Sequence, residues 1–384
     1  MKRIVPFLLG FLIAIRVLSL IVVYRTYFTT RFDPQYYGDL YSQSQYVIGE
    51  RSVGGIGDDG LYAFAGYYYL FKGGDVSSVN FEHPPLGKYL IGLSIFLFGN
   101  QNVINLLYFF LLLIITYKIA KLIRLGTIGS WFSILLVGID PLFLDHLIRS
   151  QLDLPFTLFF TGAVYFFMKS FKAPRNFLYS NLLWGAAFST RFFPVFIFIY
   201  IIELLFVVHT DSSTSGESSR PPPRCLRAFL YSSLAIPVIY MLTHIMFFVY
   251  HPSVTEFLRH KRWMLSWFSG TVIVVGNIWR TIVTGWYIDP TGFLRVSTHW
   301  WIVIPFTVVF AIISPLVKRF KNTLIVYVYL QIILYLFYLT FLTNGDLKFM
   351  MPIYPLLVVV AIRSLTELYS IIRVHATRGR SSPH

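Results

Sequence analysis

Residues 57–88, GDDGLYAFAGYYYLFKGGDVSSVNFEHPPLGK, decide how the rest of the chain is read. The stretch places Asp58, Asp59, Asp75, Glu82, His83 and Lys88 between two very apolar regions. A charged side chain costs roughly 2.5–3.5 kcal/mol at the centre of a membrane helix. So many acids together therefore belong in a water-facing loop, and loops carried on a rigid scaffold are where functional residues concentrate. Here the scaffold is a set of apolar helices. Of the 384 residues, 56% are hydrophobic and 13% charged, about half the charged share of an ordinary soluble domain. Mean hydropathy is +0.65. Apolar runs of about 20 residues recur along the chain, each long enough for a hydrocarbon core of about 30 Å. The reading is an all-α polytopic membrane protein.

The net charge of +15 does not form a nucleic-acid-binding patch. Lys and Arg recur instead as small clusters between apolar runs, the pattern of the positive-inside rule. The single cysteine, Cys225, excludes an intramolecular disulfide and a cysteine-based zinc site. No Asn-x-Ser/Thr sequon is present.

Taken in order, Met1-Lys2-Arg3 precedes an apolar run over 4–24 with no small-residue cleavage site after it, and is read as a first helix with a cytoplasmic N-terminus. Residues 25–100 then form a first outer loop. Within it, 61–71 is rich in Tyr and Phe and is expected to lie in the interface as a helix. The run 86–98, opened by Pro84-Pro85 and stopped by Gly99-Asn100, is too short to span and is expected to be interfacial or re-entrant. Further spans are expected over 103–117, 128–144, 154–167, 177–190, 192–208, 228–250, 300–316, 323–342 and 355–372. With the first helix that makes about ten, both termini cytoplasmic, with the basic clusters inside. They include Lys118/Lys121/Arg124, Lys169/Lys172/Arg175 and Lys318/Arg319/Lys321. Residues 209–227, Ser/Pro-rich, read as a flexible cytoplasmic loop. Residues 251–299 are a second outer loop. The expected organisation is one multi-pass domain over 1–376 and a basic tail over 377–384.

On the outer side this topology collects Asp58, Asp59, Glu82, His83, Lys88, Arg149, Asp153, Arg191, His299 and Lys348. Carboxylates beside cations suit transfer chemistry on a lipid-linked phosphate: an acid takes a proton from an incoming hydroxyl and cations hold the leaving phosphate.

Three stretches carry a resemblance to a known class. Gly57-Asp58-Asp59-Gly60-Leu61-Tyr62-Ala63, then Phe81-Glu82-His83-Pro84-Pro85-Leu86-Gly87-Lys88 and Leu97-Phe98-Gly99, resemble the first outer loop of GT-C glycosyltransferases. The nearest forms are the protein O-mannosyltransferases and the aminoarabinose (lipid A) transferases. Asp140-Pro141, Arg149-Ser150 and Asp153 resemble their second outer loop, and 348–355, KFMMPIYP, their entry to a late helix. The resemblance implies a GT-C-type fold and an inverting transfer of sugar from a dolichyl- or undecaprenyl-phosphate donor to a hydroxyl on protein, lipid or glycan. It implies Asp58 as catalytic base. Asp59 stands where the family has a longer Glu. Glu82 and Asp153 complete the catalytic set, with His83, Lys88, Arg149, Arg191 and Lys348 toward donor phosphate. A divalent cation and cationic side chains are both open as the stabiliser of the leaving phosphate. The active face is expected on the outer or lumenal side of a plasma or endoplasmic reticulum membrane.

Each feature also has a plainer reading. Asp58-Asp59 suits the N-terminal turn of a helix, and Pro84-Pro85 opens one. Arg149 and Asp153 make a structural ion pair, and Arg191 a snorkelling helix end. A transporter or flippase with a charged path is the rival function. It predicts repeated halves and acids in mid-span rather than in loops, and no repeat is seen.

Overall fold

A computed structural model describes residues 4–214, 224–270, 272–289, 291–317 and 322–378. Lys2, Arg3, the centre of the Ser/Pro-rich loop, Lys318, Arg319, Lys321 and the tail beyond 378 lie outside the described residues. Helices stand at all ten places where spans were expected. Among the described residues, five are long and apolar enough to cross a membrane: Ile4–Val23, Ile104–Leu122, Cys225–Thr243, Thr323–Leu342 and Tyr354–Arg373. Thr127–Gly138 and Pro141–Leu147 pass together as a broken sixth. The other four are shorter or more polar. Ser314-Pro315 interrupts the 300–316 run, and Pro194 delays the next helix to Phe196–Thr214, because proline removes a backbone donor and crowds the preceding turn.

Two compact units emerge, Leu18–Leu112 with Phe143–Val272, and Met1–Val17 with Leu113–Leu142 and Ile273–His384. The first holds the charged loop. Its organising contact is a crossing of the Asp58–Phe71 and Leu86–Phe98 helices at two glycines. A Cβ on Gly66 would lie 2.5 Å from the Lys88 carbonyl oxygen and 2.8 Å from the Gly92 nitrogen. Only glycine permits that approach. The Leu86–Phe98 helix stops where Gly99 turns left-handed, φ 65°, the usual glycine C-terminal stop. Asn100 then ties the turn to the Tyr27 and Thr30 carbonyls at 3.0 and 2.7 Å. The aromatic Asp58–Phe71 helix is largely an interior element. Leu61, Tyr62, Ala65 and Tyr69 are buried in protein. Its exposed end, Leu70 and Phe71, keeps the expected apolar outer surface.

Behind these, the Asp153–Ser170 helix is buried almost all round and packs on Asn176–Thr190. One carboxylate departs from the loop pattern. Glu203, within Phe196–Thr214, is fully buried and accepts from Trp184 Nε1 at 3.0 and 3.1 Å.

In the other unit the Tyr354–Arg378 helix is the centre, with Leu356–Val360 fully buried. It packs against Val303–Ile312 and Thr127–Gly138. Asp140 caps Leu142 and accepts from Trp301 Nε1 at 2.7 Å. A two-stranded antiparallel ribbon, Trp286–Ile288 with Leu294–Val296, was not expected from the sequence.

Candidate active site

Asp58 and Asp59 open the first turn of their helix, where the unpaired backbone N–H groups favour negative charge. Their side chains part company. Asp58 is exposed, whereas Asp59 is half-buried and turns back to accept from the Gly60 backbone N–H at 2.9 Å. The plain helix-end reading fits both acids, and Asp58 is the more exposed of the two.

Glu82 comes to the same place from the loop before Pro84-Pro85. Burial, and then the charge of Asp58, raise its carboxyl above the usual range, while Lys88 opposes them. Two tyrosines join the acids. Tyr46 is pushed up to about 12 by burial and then by the charges of Glu82 and Asp58. Tyr62, one helical turn after Asp58, is buried, and its phenol is raised by burial and then by Asp58, with Arg191 acting in the opposite sense. Sequence reasoning missed both. Tyr62 was findable, since i and i+4 share a helix face; Tyr46 carried no local signal.

The 145–153 turn arrives through a backbone contact. Ser150 Oγ donates to the Asp59 carbonyl at 2.8 Å, and Asn105 holds the loop by donating to the His146 and Arg149 carbonyls at 3.1 and 2.9 Å. Gly87 lets the helix start approach from the other side, because a Cβ there would meet Leu152 at 2.7 Å and Thr190 at 2.9 Å. Asp153 and Arg191 then pair directly, with side chains only 6% and 12% exposed. His146 Nε2 lies 3.9 Å from the same carboxylate. The expected Arg149–Asp153 pair is not formed. Arg149 Nε bonds Asp145 at 2.7 Å instead, one helical turn earlier in sequence. Arg191 is no snorkelling terminus, because its charge is turned inward to Asp153.

His83 faces the Arg191 turn, accepting from the Phe192 N–H at Nδ1, 3.4 Å, and its ring lies between Tyr62 and Phe268. Phe268 in turn stacks on Phe192 at 4.4 Å. Lys88 has a different place from the one expected. It is fully buried, with Nζ donating to the carbonyls of Asn80 and, at 2.7 Å, His83. Burial pushes its ammonium well below the lysine range. It staples the 80–83 loop rather than facing a ligand. Lys348 lies in the other unit, in the Leu347–Met350 turn, with its ammonium over the Phe349 ring; His299 is in that unit too. Among the described residues no three His, Cys, Asp or Glu side chains gather as metal donors.

The architecture is that of the GT-C class of polytopic membrane proteins. In particular, the chain superposes on ArnT from Cupriavidus metallidurans. The TM-score is 0.57 at 16% identity over 95% of this chain for the form bound to undecaprenyl phosphate. It is 0.58 at 16% identity over 92% for the apo form. The chain spans 63% and 59% of the length of those two structures. The family model of dolichyl-phosphate-mannose-protein mannosyltransferases matches residues 82–221, which include Glu82, Asp153 and Arg191. No curated protein sequence matches the chain.

Proposed function

We propose that this protein is an inverting glycosyltransferase that uses a polyprenyl-phosphate sugar and works at the non-cytoplasmic membrane face. The observation that carries the reading is the difference in exposure within the acid cluster. Asp58 is exposed at a positive helix end, whereas Asp59 and Glu82 are partly buried and Asp153 is buried against Arg191. The likeness to the mannosyltransferase family model and to ArnT, a structure of which holds undecaprenyl phosphate, supports the donor class.

In this reading the acceptor oxygen attacks the anomeric carbon and its proton passes to Asp58. The bond from that carbon to the phosphate oxygen breaks, and its electron pair leaves with polyprenyl phosphate. Phosphate is a good leaving group, so no strong general acid is needed. Donors pre-aimed at the developing charge supply the stabilisation. In this reading His83, Arg191 and Arg149 are the donors that serve that task. Partial burial works against the Arg149 charge, but Asp145 and then Asp59 sustain it. Arg191 also holds Asp153.

The test uses the full-length protein in detergent with labelled undecaprenyl- and dolichyl-phosphate sugars. Release of polyprenyl phosphate, slowly to water and faster with an acceptor, is the expected result. A parent protein that cleaves none of these donors refutes the reading.

A further inference from the structure

Beside the acids, in the same unit, lies a cleft of about 400 Å³ that the site described above does not use. It is enclosed by the 26–37 segment and the 100–102 turn, and its size falls within the range of roughly 300–1,000 Å³ typical of small-molecule pockets. None of its lining residues is aliphatic. Tyr27 and Tyr36 present ring surface, 47% and 57% exposed. Arg31 is exposed and makes no ion pair among the described residues.

The wall of this cleft is rigid. Asn100 and Asn102 both donate to the Tyr27 carbonyl at 3.0 Å, and Gln101 Nε2 donates to the Tyr37 hydroxyl at 3.1 Å. After these bonds, Gln101 Oε1 and Asn102 Oδ1 have no protein partner. Both oxygens are closed off from solvent, so they belong to the body of the wall and not to its open surface.

The cleft also adjoins the acids. The Tyr37 ring would lie 3.5 Å from a Cβ on Gly60, directly after the acid pair. Arg149 has both Asp59 and Tyr27 among the charged and polar groups that act on it.

We infer that this cleft is the acceptor subsite and that the acceptor is a glycan. Tyrosine faces pack on the C–H faces of a pyranose ring, while the exposed Arg31 guanidinium matches ring hydroxyls. An acyl chain finds no aliphatic lining here. A sugar seated between Tyr27 and Tyr36 directs a hydroxyl past Tyr37 toward the helix start that bears Asp58. The inference rests on the transfer reading and narrows it from any hydroxyl to a saccharide hydroxyl.

Saturation-transfer NMR on the full-length protein in detergent tests it, with maltose, cellobiose, chitobiose and mannobiose as probes and a Ser/Thr-rich peptide in parallel. At least one disaccharide is expected to receive saturation, and the signal to fall several-fold in Tyr36→Ala and in Arg31→Gln. Both side chains are exposed, so gel filtration should show both variants folded. Silence from all four disaccharides, a signal indifferent to both variants, or peptide binding lost in those variants overturns the inference. Donor cleavage to water is measured separately. Cleavage without saccharide binding defeats the glycan acceptor alone, whereas saccharide binding without cleavage of any donor defeats the transferase reading.

Discussion

At the scale of single residues, the two neighbouring acids carry opposite expectations. Asp58→Asn keeps the shape of the side chain and removes its capacity to take a proton. General-base catalysis contributes about 10²–10⁴-fold, or roughly 3–5 kcal/mol, and transfer should slow by that factor with donor affinity little changed. Asp59→Asn should cost much less, because its oxygen serves the Gly60 N–H. Near-parental turnover in Asp58→Asn would place the base elsewhere. Glu82 supplies a check by pH. Its carboxyl is raised by burial and by Asp58, so folding favours the protonated form and the charged form costs stability once the pH rises through the unfolded value near 4.5. Glu82→Gln should therefore raise the melting temperature at pH 7 and leave it unchanged near pH 4. A gain that grows toward low pH would contradict the assignment. The Asp153–Arg191 pair invites a third comparison. Removing one partner of a buried pair costs about 3–5 kcal/mol, and replacing both with apolar residues is often close to neutral. Arg191→Met alone should unfold readily, and the double variant Asp153→Leu/Arg191→Met should recover folding but not transfer. Recovery of both would make the pair purely structural.

At the scale of elements, the site depends on two helices touching backbone to backbone. The atoms that a Gly66 Cβ would meet are the Lys88 carbonyl oxygen and the Gly92 nitrogen, neither of which yields as a side-chain tip would. Gly66→Ala is expected to cost about 1–3 kcal/mol, the usual range for overpacking. It should also lower transfer, since the 80–88 loop hangs from that crossing through the Lys88 bonds to Asn80 and His83. Gly54→Ala, with open space around it, is the control and should change neither. Thermal unfolding with parallel turnover assays separates the two outcomes. The same element shows where local reading stopped. Pro84-Pro85, the helix and its glycine stop were visible as a run of types. That Lys88 would be swallowed by the fold was not, because burial depends on the helix packed across it.

At the scale of the molecule, the membrane arrangement gives the remaining prediction. The 25–100 loop should lie wholly outside, with Leu86–Phe98 not crossing. In a Cys225→Ser background, Val53→Cys and Gln101→Cys should both react with an impermeant thiol reagent from the outer side, while native Cys225 reacts only from the cytoplasmic side. Labelling of Gln101→Cys from the cytoplasm alone would mean that the helix crosses, and would place the 103–117 helix and its basic end in the opposite sense. Helix positions were readable from sequence because hydropathy is a local sum, and a run of about 20 apolar residues reports itself. The breaks at Asp140-Pro141 and Ser314-Pro315 shorten what the sum alone would draw as continuous.

The sequence by itself determined the class of fold, the order of the helices, and the stretches in which the charged residues gather. Apolar length, basic clusters and a short motif are all properties of neighbours in the chain. Only the tertiary structure decided which charge meets which. Asp153 takes Arg191, 38 residues on, rather than Arg149, four residues back, and Tyr46 reaches Glu82 across a helix and a loop. Lys88 turns away from the site that its motif adorns. Such pairings depend on how closely helices approach, set here by Gly66, Gly87 and Gly92, and distance along the chain carries no record of that approach.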